Sequence, residues 1–450
     1  MNILETTIKA QELFSGFELC RLQEQETQVL ADRLRSRKIT IAVIGQFKRG
    51  KTTLINSILG SKLLPVGIVP ITAAITRIEY APDAAPSTPD AAPSTADAAP
   101  NGEAAAVDGE TATATVFFTN GLSEQVPVSD LHEYISEQEN HDNERGVAEV
   151  ELLTDAEFLK GGLTLVDTPG VGSVHEQNSK SAMDFARESD GVIFMLSVDS
   201  PLNQIEVDFL RKVRRFAGKF YFAVNKIDRV DEDELEEYLE YCRSLIVGIM
   251  ELDDEEAKAL KLLPISARKG TGVSELTELI REDFLTRGTE IMERSVGLKL
   301  LEILNNTRSQ ISSYREVLKM APNVFNRRFK EMSLLLHDQR EKIDSLEEGT
   351  YLRARLNEEK ALLTRKVREL FGIEYYYYVD REDAAELMDR DEFAAELTAV
   401  YDELESTINS IFMYKEENAY AVARRIEDLN ILIHDMRKLT RQIERELAAK

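Results

Sequence analysis

The sequence predicts an α/β domain with a mixed, mostly parallel sheet, joined to an elongated α-helical bundle. Three observations carry this. Residues 39–44 are a β-branched apolar run, followed by a glycine-rich loop and then by Leu54, Ile55, Ile58 and Leu59 at helical spacing. Apolar runs at 163–166, 192–196, 220–224 and 262–265 follow, with helical pattern between them at 205–216. Beyond Pro322, the last proline, only Gly349 and Gly372 interrupt the chain.

Composition sets the frame. At 450 residues the chain is long for one core, so two or more domains are expected. With 43% hydrophobic and 30% charged residues it reads as a soluble globular protein. A formal net charge of -26 argues against nucleic acid as a partner and gives no general attraction to anionic lipid. Cys20 and Cys242 show no paired spacing, which suggests a reducing compartment and no metal-thiolate site. No stretch approaches the ~20 apolar residues of a membrane span and no signal peptide is seen. The expectation is a cytoplasmic protein, with a peripheral place at the inner face of the cell membrane also open.

Taken in order, residues 1–36 contain Gly16 and no proline, with Leu13, Phe17, Leu30 and Leu34 punctuating a helix-favouring segment. Such a segment has no place in a minimal nucleotide-binding unit and is expected to pack on the helices after 289. The loop Gly45, Gln46, Phe47, Lys48, Arg49, Gly50, Lys51, Thr52, Thr53 fits G-x-x-x-x-G-K-[ST]. Its N–H groups and the following helix N-terminus suit phosphate. Lys51 would reach the β- and γ-phosphates, and Thr52 would ligate Mg2+.

Residues 63–72 hold two prolines and a glycine and form an irregular loop suited to sensing the nucleotide. Thr72 is the expected second hydroxyl on Mg2+ and a catalytic candidate, with Thr76 as the fallback. Residues 82–110 contain a short tandem repeat of Pro, Asp, Ala, Ser and Thr that cannot bury a core. They read as a disordered hairpin insertion. Asn120-Gly121, after strand pattern at 113–118, reads as a hairpin turn.

The run at 163–166 leads into Asp167-Thr168-Pro169-Gly170. D-x-x-G sets Asp167 beside Mg2+ through water and the Gly170 N–H beside the γ-phosphate. After the run at 220–224 comes Asn225-Lys226-Ile227-Asp228, and N-K-x-D in that place reads guanine. Asp228 would accept from the N1 and N2 hydrogens, Asn225 would fix the loop, and the Lys226 stem would lie along the base. Ser266 and Ala267 close the base pocket. The acidic run 231–237 reads as a solvated helix start rather than a metal site.

In the helical region Ile426, Leu429, Ile433, Met436, Ile443 and Leu447 alternate spacings of three and four, save one gap at Thr440. Phe393, Leu397, Val400, Leu404, Ile408 and Ile411 do much the same. This predicts an elongated bundle or coiled-coil stalk, where a helix of ~60 residues would run ~90 Å. A compact bundle is the other reading.

The chain resembles the dynamin superfamily, and most closely its bacterial dynamin-like members, relatives of the mitofusins. The residues that carry the resemblance are GQFKRGKTTLIN at 45–56, LLPVGIVPITAAITRIEY at 63–80, GLTLVDTPGVGSVHE at 162–176 and the NKID reader. It implies a neck helix at 1–36, a P-loop GTPase domain at 37–288 and a helical neck and stalk at 289–450. It further implies hydrolysis of GTP to GDP, stimulated when two GTPase domains form a homodimer, with higher oligomers and a dynamin-like partner protein also open.

Two departures stand out. Conventional dynamins carry Gln-Ser where Phe47-Lys48 stand here. No apolar tip flanked by basic residues lies between the C-terminal helices, and the aromatic loop at 371–378 is the one candidate for a membrane interface. The chain also stops in mid-helix, which leaves a longer parent open. The rival to a membrane-acting enzyme is a GTP-dependent switch whose coiled-coil stalk binds a protein.

In Ras-like GTPases a glutamine after the D-x-x-G glycine orients water; Val171 stands there and cannot. Lys48 is the candidate for the missing positive charge, and Arg49, expected to be the more exposed of the two, is the second choice for reaching across a dimer.

Overall fold

The computed structural model describes residues 3–65, 75–82, 113–136, 139–140, 143–170, 183, 185–346, 350–371, 387–415 and 419–448. Two compact units divide the chain: residues 29–299, and residues 1–28 together with 300–449. The seams, at 28/29 and 299/300, fall inside helices.

The first unit is built on a nine-stranded sheet in the order β4-β3-β5-β2-β6-β1-β7-β8-β9. The strands are β1 (Ile39–Ile44), β2 (Ile75–Tyr80), β3 (Thr113–Phe118), β4 (Ser123–Pro127), β5 (Val147–Thr154), β6 (Leu163–Asp167), β7 (Gly191–Ser197), β8 (Lys219–Asn225) and β9 (Leu262–Pro264). β6, β1, β7, β8 and β9 run parallel. β7 is buried along its whole length, the pattern of a strand covered on both faces. β2 turns antiparallel against β6, and β3 against β5, which makes the sheet mixed.

Helices α1 (Ile3–Ser15), α2 (Arg21–Ser36), α3 (Lys51–Leu59), α4 (His132–Ile135), α5 (Gln204–Val213), α6 (Glu232–Met250), α7 (Asp254–Ala259) and α8 (Val273–Lys319) follow in chain order. Ala42, Ile44, Phe194, Leu196 and Val224 of the sheet pack with Phe209, Leu210 and Val213 of α5 and Ile246 of α6 in one apolar cluster. α5 and α6 each begin with a capping box, Asn203 with Glu206 and Asp231 with Glu234. The acidic run at 231–237 is thus the opening of a helix.

Two expectations change. The segment 1–36 is two helices broken at Gly16-Phe17, and its end belongs to the sheet unit: Leu30 and Ala31 are buried, and Arg33 pairs with Asp190 at 2.9 Å. The strands flanking the repeat-bearing segment do not form a hairpin. β5 lies between β2 and β3, so the connection is a crossover; residues 83–112 themselves lie outside the described residues. The hairpin at Asn120-Gly121 does form, with Gly121 left-handed at φ +84°.

The second unit is helical: the end of α8, then α9 (Pro322–Asp344), α10 (Arg353–Phe371), α11 (Arg390–Lys415) and α12 (Ala419–Ala448), with a ribbon of β10 (Thr350–Leu352) and β11 (Leu387–Asp389). α1 packs on α12, where Gln442 Nε2 donates to Thr6 Oγ1 at 2.9 Å. Along α12, Leu429, Leu432, Ile433, Met436, Leu439, Thr440 and Ile443 are buried, a stripe wider than a two-residue seam. Thr440 fills the gap in the apolar series and returns its hydroxyl to the Met436 carbonyl at 2.9 Å. Whether α11 and α12 join into the expected ~60-residue helix turns on residues 416–418, which lie outside the described residues. Lack of Gly and Pro permits a long helix without demanding one. The aromatic loop after Phe371 lies outside the described residues.

Candidate nucleotide site

The phosphate loop joins β1 to α3, at the carboxyl end of the parallel strands where open α/β sheets bind ligands. Its curve needs Gly50: φ is +93°, and a Cβ there would stand 2.4 Å from Asn225 Nδ2. Lys51 Nζ donates to the carbonyls of Gly45 at 2.9 Å and Gln46 at 3.4 Å. Burial pushes Lys51 down to about 8, opposed by Asp167 and Glu206.

Asp167 ends β6 directly beside the loop. Thr52 Oγ1 donates to Asp167 Oδ2 at 2.8 Å, while Asp167 Oδ1 is buried without a hydrogen-bond partner. Burial raises this carboxyl to about 6, opposed by Lys51, the Thr52 hydroxyl and the Thr168 N–H. A hydroxyl beside a carboxylate with an orphaned oxygen is an all-oxygen donor set of the kind Mg2+ takes. Thr168 Oγ1 anchors the D-x-x-G turn to the Val43 carbonyl at 2.9 Å. Gly170 sits so close to the loop that a Cβ would meet Phe47 N at 3.0 Å. Thr53 is half-buried on the first turn of α3.

The residues expected to read the base lie together. Asn225 Nδ2 donates to the Arg49 carbonyl at 2.8 Å, and its Oδ1 accepts from the N–H groups of Lys226 at 2.8 Å and Ala267 at 2.9 Å. Ser266 Oγ donates to Asp228 Oδ1 at 2.6 Å, and chiefly through that bond holds the exposed carboxylate below its ordinary range. Lys226 is left-handed, with φ +68°.

The two loop cations part company. Lys48 is exposed in left-handed backbone (φ +66°), its Nζ 5.2 Å from the Phe47 ring centroid. Arg49, expected to be the more exposed, is only 2% accessible. Its guanidinium turns inward to Glu206 at 3.0 and 2.7 Å, so a reach across a dimer is ruled out for this conformation. A guanidinium finds in Glu206 a carboxylate matching its fork. Thr72 and Val171 lie outside the described residues. Thr76, the fallback, is in β2 opposite Asp167, its hydroxyl buried and unpartnered.

Sequence reading missed Glu206 and Asp199. Asn203-x-x-Glu206 is legible as a capping box, but nothing local says that its carboxylate also meets the phosphate loop.

Phosphate loop after β1, D-x-x-G after β6 and N-K-x-D after β8, on this strand order, define a P-loop GTPase domain. Residues 41–228 match the family model described as the dynamin family. It is 30% identical over 288 residues to an uncharacterised Caldicellulosiruptor protein encoded in the 3′ region of xynA, covering 62% of each chain. It is 25% identical to Dynamin-like protein 2 of Campylobacter jejuni, covering 69% of this chain and 47% of that one. The matches thus span less than two thirds of either relative. A solved bacterial dynamin pair, described as sensing and tethering membranes at long range, aligns at a TM-score of 0.42 and 15% identity, over 97% of this chain and 78% of that one.

Proposed function

We propose that the chain binds GTP with Mg2+, hydrolyses it to GDP and phosphate, and couples that cycle through its helical unit to a membrane. The observation that carries the first part is the pairing of Asp228, held by Ser266, with a phosphate loop tied to the same reader through Asn225. Adenine offers a carboxylate here no matching pair of donors.

In this reading the loop N–H groups and Lys51 hold the β- and γ-phosphates, and Lys51 leaves the Gly45 carbonyl to do so. Thr52 and Asp167 hold Mg2+, which when bound neutralises charge on the phosphate oxygens. Gly170, against Phe47, brings its N–H to the γ-phosphate side of the loop. Thr72 supplies the second hydroxyl. Lys48, exposed beside Phe47, supplies positive charge to the β–γ bridge as charge grows there.

Two GTPase domains meeting across the nucleotide stimulate turnover, and residues 1–28 with 300–449 serve as neck and stalk. Similarity of residues 41–228 to the dynamin family supports both statements. Among the described residues no helix is long and apolar enough to cross a membrane, so contact with lipid is peripheral in this proposal. Liposome co-sedimentation with and without a GTP analogue tests it. Nucleotide-dependent pelleting is expected; absence of pelleting by this chain and by any longer parent would favour the switch that binds a protein.

A further inference from the structure

The turn at 197–201, between β7 and α5, is gripped from two sides. From the phosphate loop, Arg49 engages all five guanidinium N–H groups. Nε and Nη2 meet Glu206 at 3.0 and 2.7 Å, Nη1 meets the carbonyls of Ser197 at 3.2 Å and Ser200, and Nη2 also meets the Pro201 carbonyl at 3.0 Å. From the base-reading loop, Lys226 Nζ and Arg229 Nη1 hold Asp199 of the same turn at 2.7 and 3.0 Å. The Ser197 hydroxyl also donates to Asp199, and the Val198 N–H donates to the Asn225 carbonyl at 3.1 Å. The Tyr238 hydroxyl donates to the Ser197 and Ser200 carbonyls at 2.8 and 3.0 Å, closing the turn from α6.

We propose that Arg49, Glu206 and the 197–201 turn form a brace coupling the phosphate loop to the guanine reader, with Arg49 as a positioning residue. The inference rests on the reading that GTP binds here. Its logic is mechanical: phosphates that seat the loop fix Arg49, Arg49 fixes the turn, and the turn fixes Lys226 through Asp199. Guanine acts along the same chain in reverse. Two features make the brace rigid. Arg49 and Glu206 are almost wholly buried, so neither charge has water as an alternative partner. Glu206 is itself fixed by Asn203, whose Oδ1 accepts from the Glu206 N–H at 2.9 Å. A lysine at 49 offers three donors and no fork, so it cannot reproduce the grip.

A double-mutant cycle on the full chain tests this, with GDP affinity read by calorimetry. One arm is Asp199→Asn; the other is the pair Arg49→Gln with Glu206→Gln, which leaves no buried carboxylate unpartnered. In the native background Asp199→Asn is expected to weaken GDP about fivefold, and in the paired background less than about twofold, because the turn is already released. Simple support of the loop by Arg49 would leave the Asp199→Asn factor unchanged between backgrounds, and that result overturns the brace. No effect of Asp199→Asn in the native background overturns it too. Should the pair not fold, Arg49→Lys takes its place in the same cycle with the same criterion. An unaltered chain that binds ADP as tightly as GDP would reject the nucleotide reading itself; selective GDP binding with independent losses rejects the brace alone.

Discussion

Asp228 and its neighbours show how much of this site lies in single residues. The carboxylate is exposed, so its worth lies in orientation, and Ser266 supplies that through a 2.6 Å bond. Replacing Asp228 with Asn swaps one acceptor for a donor that faces the guanine N1–H. GTP affinity is expected to fall about a hundredfold, and xanthosine triphosphate, which presents an acceptor there, to gain. Competition binding with both nucleotides reads this; an unchanged preference for GTP contradicts it. Lys48 is argued from its place at the loop. Lys48→Ala is expected to lower turnover at least about tenfold and GTP affinity by no more than a few-fold, since the interaction grows in the transition state. Normal turnover in that variant, or an absolute need for potassium, removes Lys48 from catalysis. The motif residues were legible in sequence because each chemistry is local. The separate fates of Lys48 and Arg49 were not, because a carboxylate 157 residues away decides them.

At the scale of elements, strands with β-branched apolar runs were readable, as at β1, β6, β7 and β8. β5 was passed over although Glu149-Val150-Glu151-Leu152 alternates as a strand with one polar face does, and its place between β2 and β3 is a matter of topology. Helix α8 was placed too late in sequence, although Val273, Leu276 and Ile280 in its first turns stand at helical spacing and are buried. Its Lys299 is buried, donating to the Ser189 carbonyl at 2.8 Å, the Glu188 carbonyl at 3.3 Å and Ser295 Oγ at 2.7 Å. Burial, with Arg33 adding to it, pushes this amine from 10.5 down to about 7, while Asp190 and Glu188 oppose. A lowered amine binds fewer protons folded than unfolded, so stability from this group rises with pH across that window. Denaturant titrations of the protein and of Lys299→Met should therefore diverge between about pH 7 and 10.5, the unaltered chain gaining. Curves that stay parallel would refute this. In the helical unit, Phe14 on α1 is fully buried. Phe14→Ala should cost about 3–5 kcal/mol of that unit's stability and leave GDP binding unchanged; loss of GDP binding would show that the helical unit governs the site.

At the scale of the whole molecule, α2 and α8 each contribute residues to both units. That sharing was hidden in sequence, since composition changes gradually along both helices. If paired GTPase domains assist turnover, phosphate release per molecule should rise with protein concentration and level off once pairing is complete. A rate per molecule independent of concentration would mean that each domain works alone. The central claim is that this site hydrolyses GTP and reads its base. Phosphate release from GTP and from ATP, followed side by side with Mg2+ present, tests it most directly. The account predicts steady release from GTP and about a hundredth of that from ATP, in line with a lost pair of hydrogen bonds. Equal release from both, or none from GTP, would contradict it.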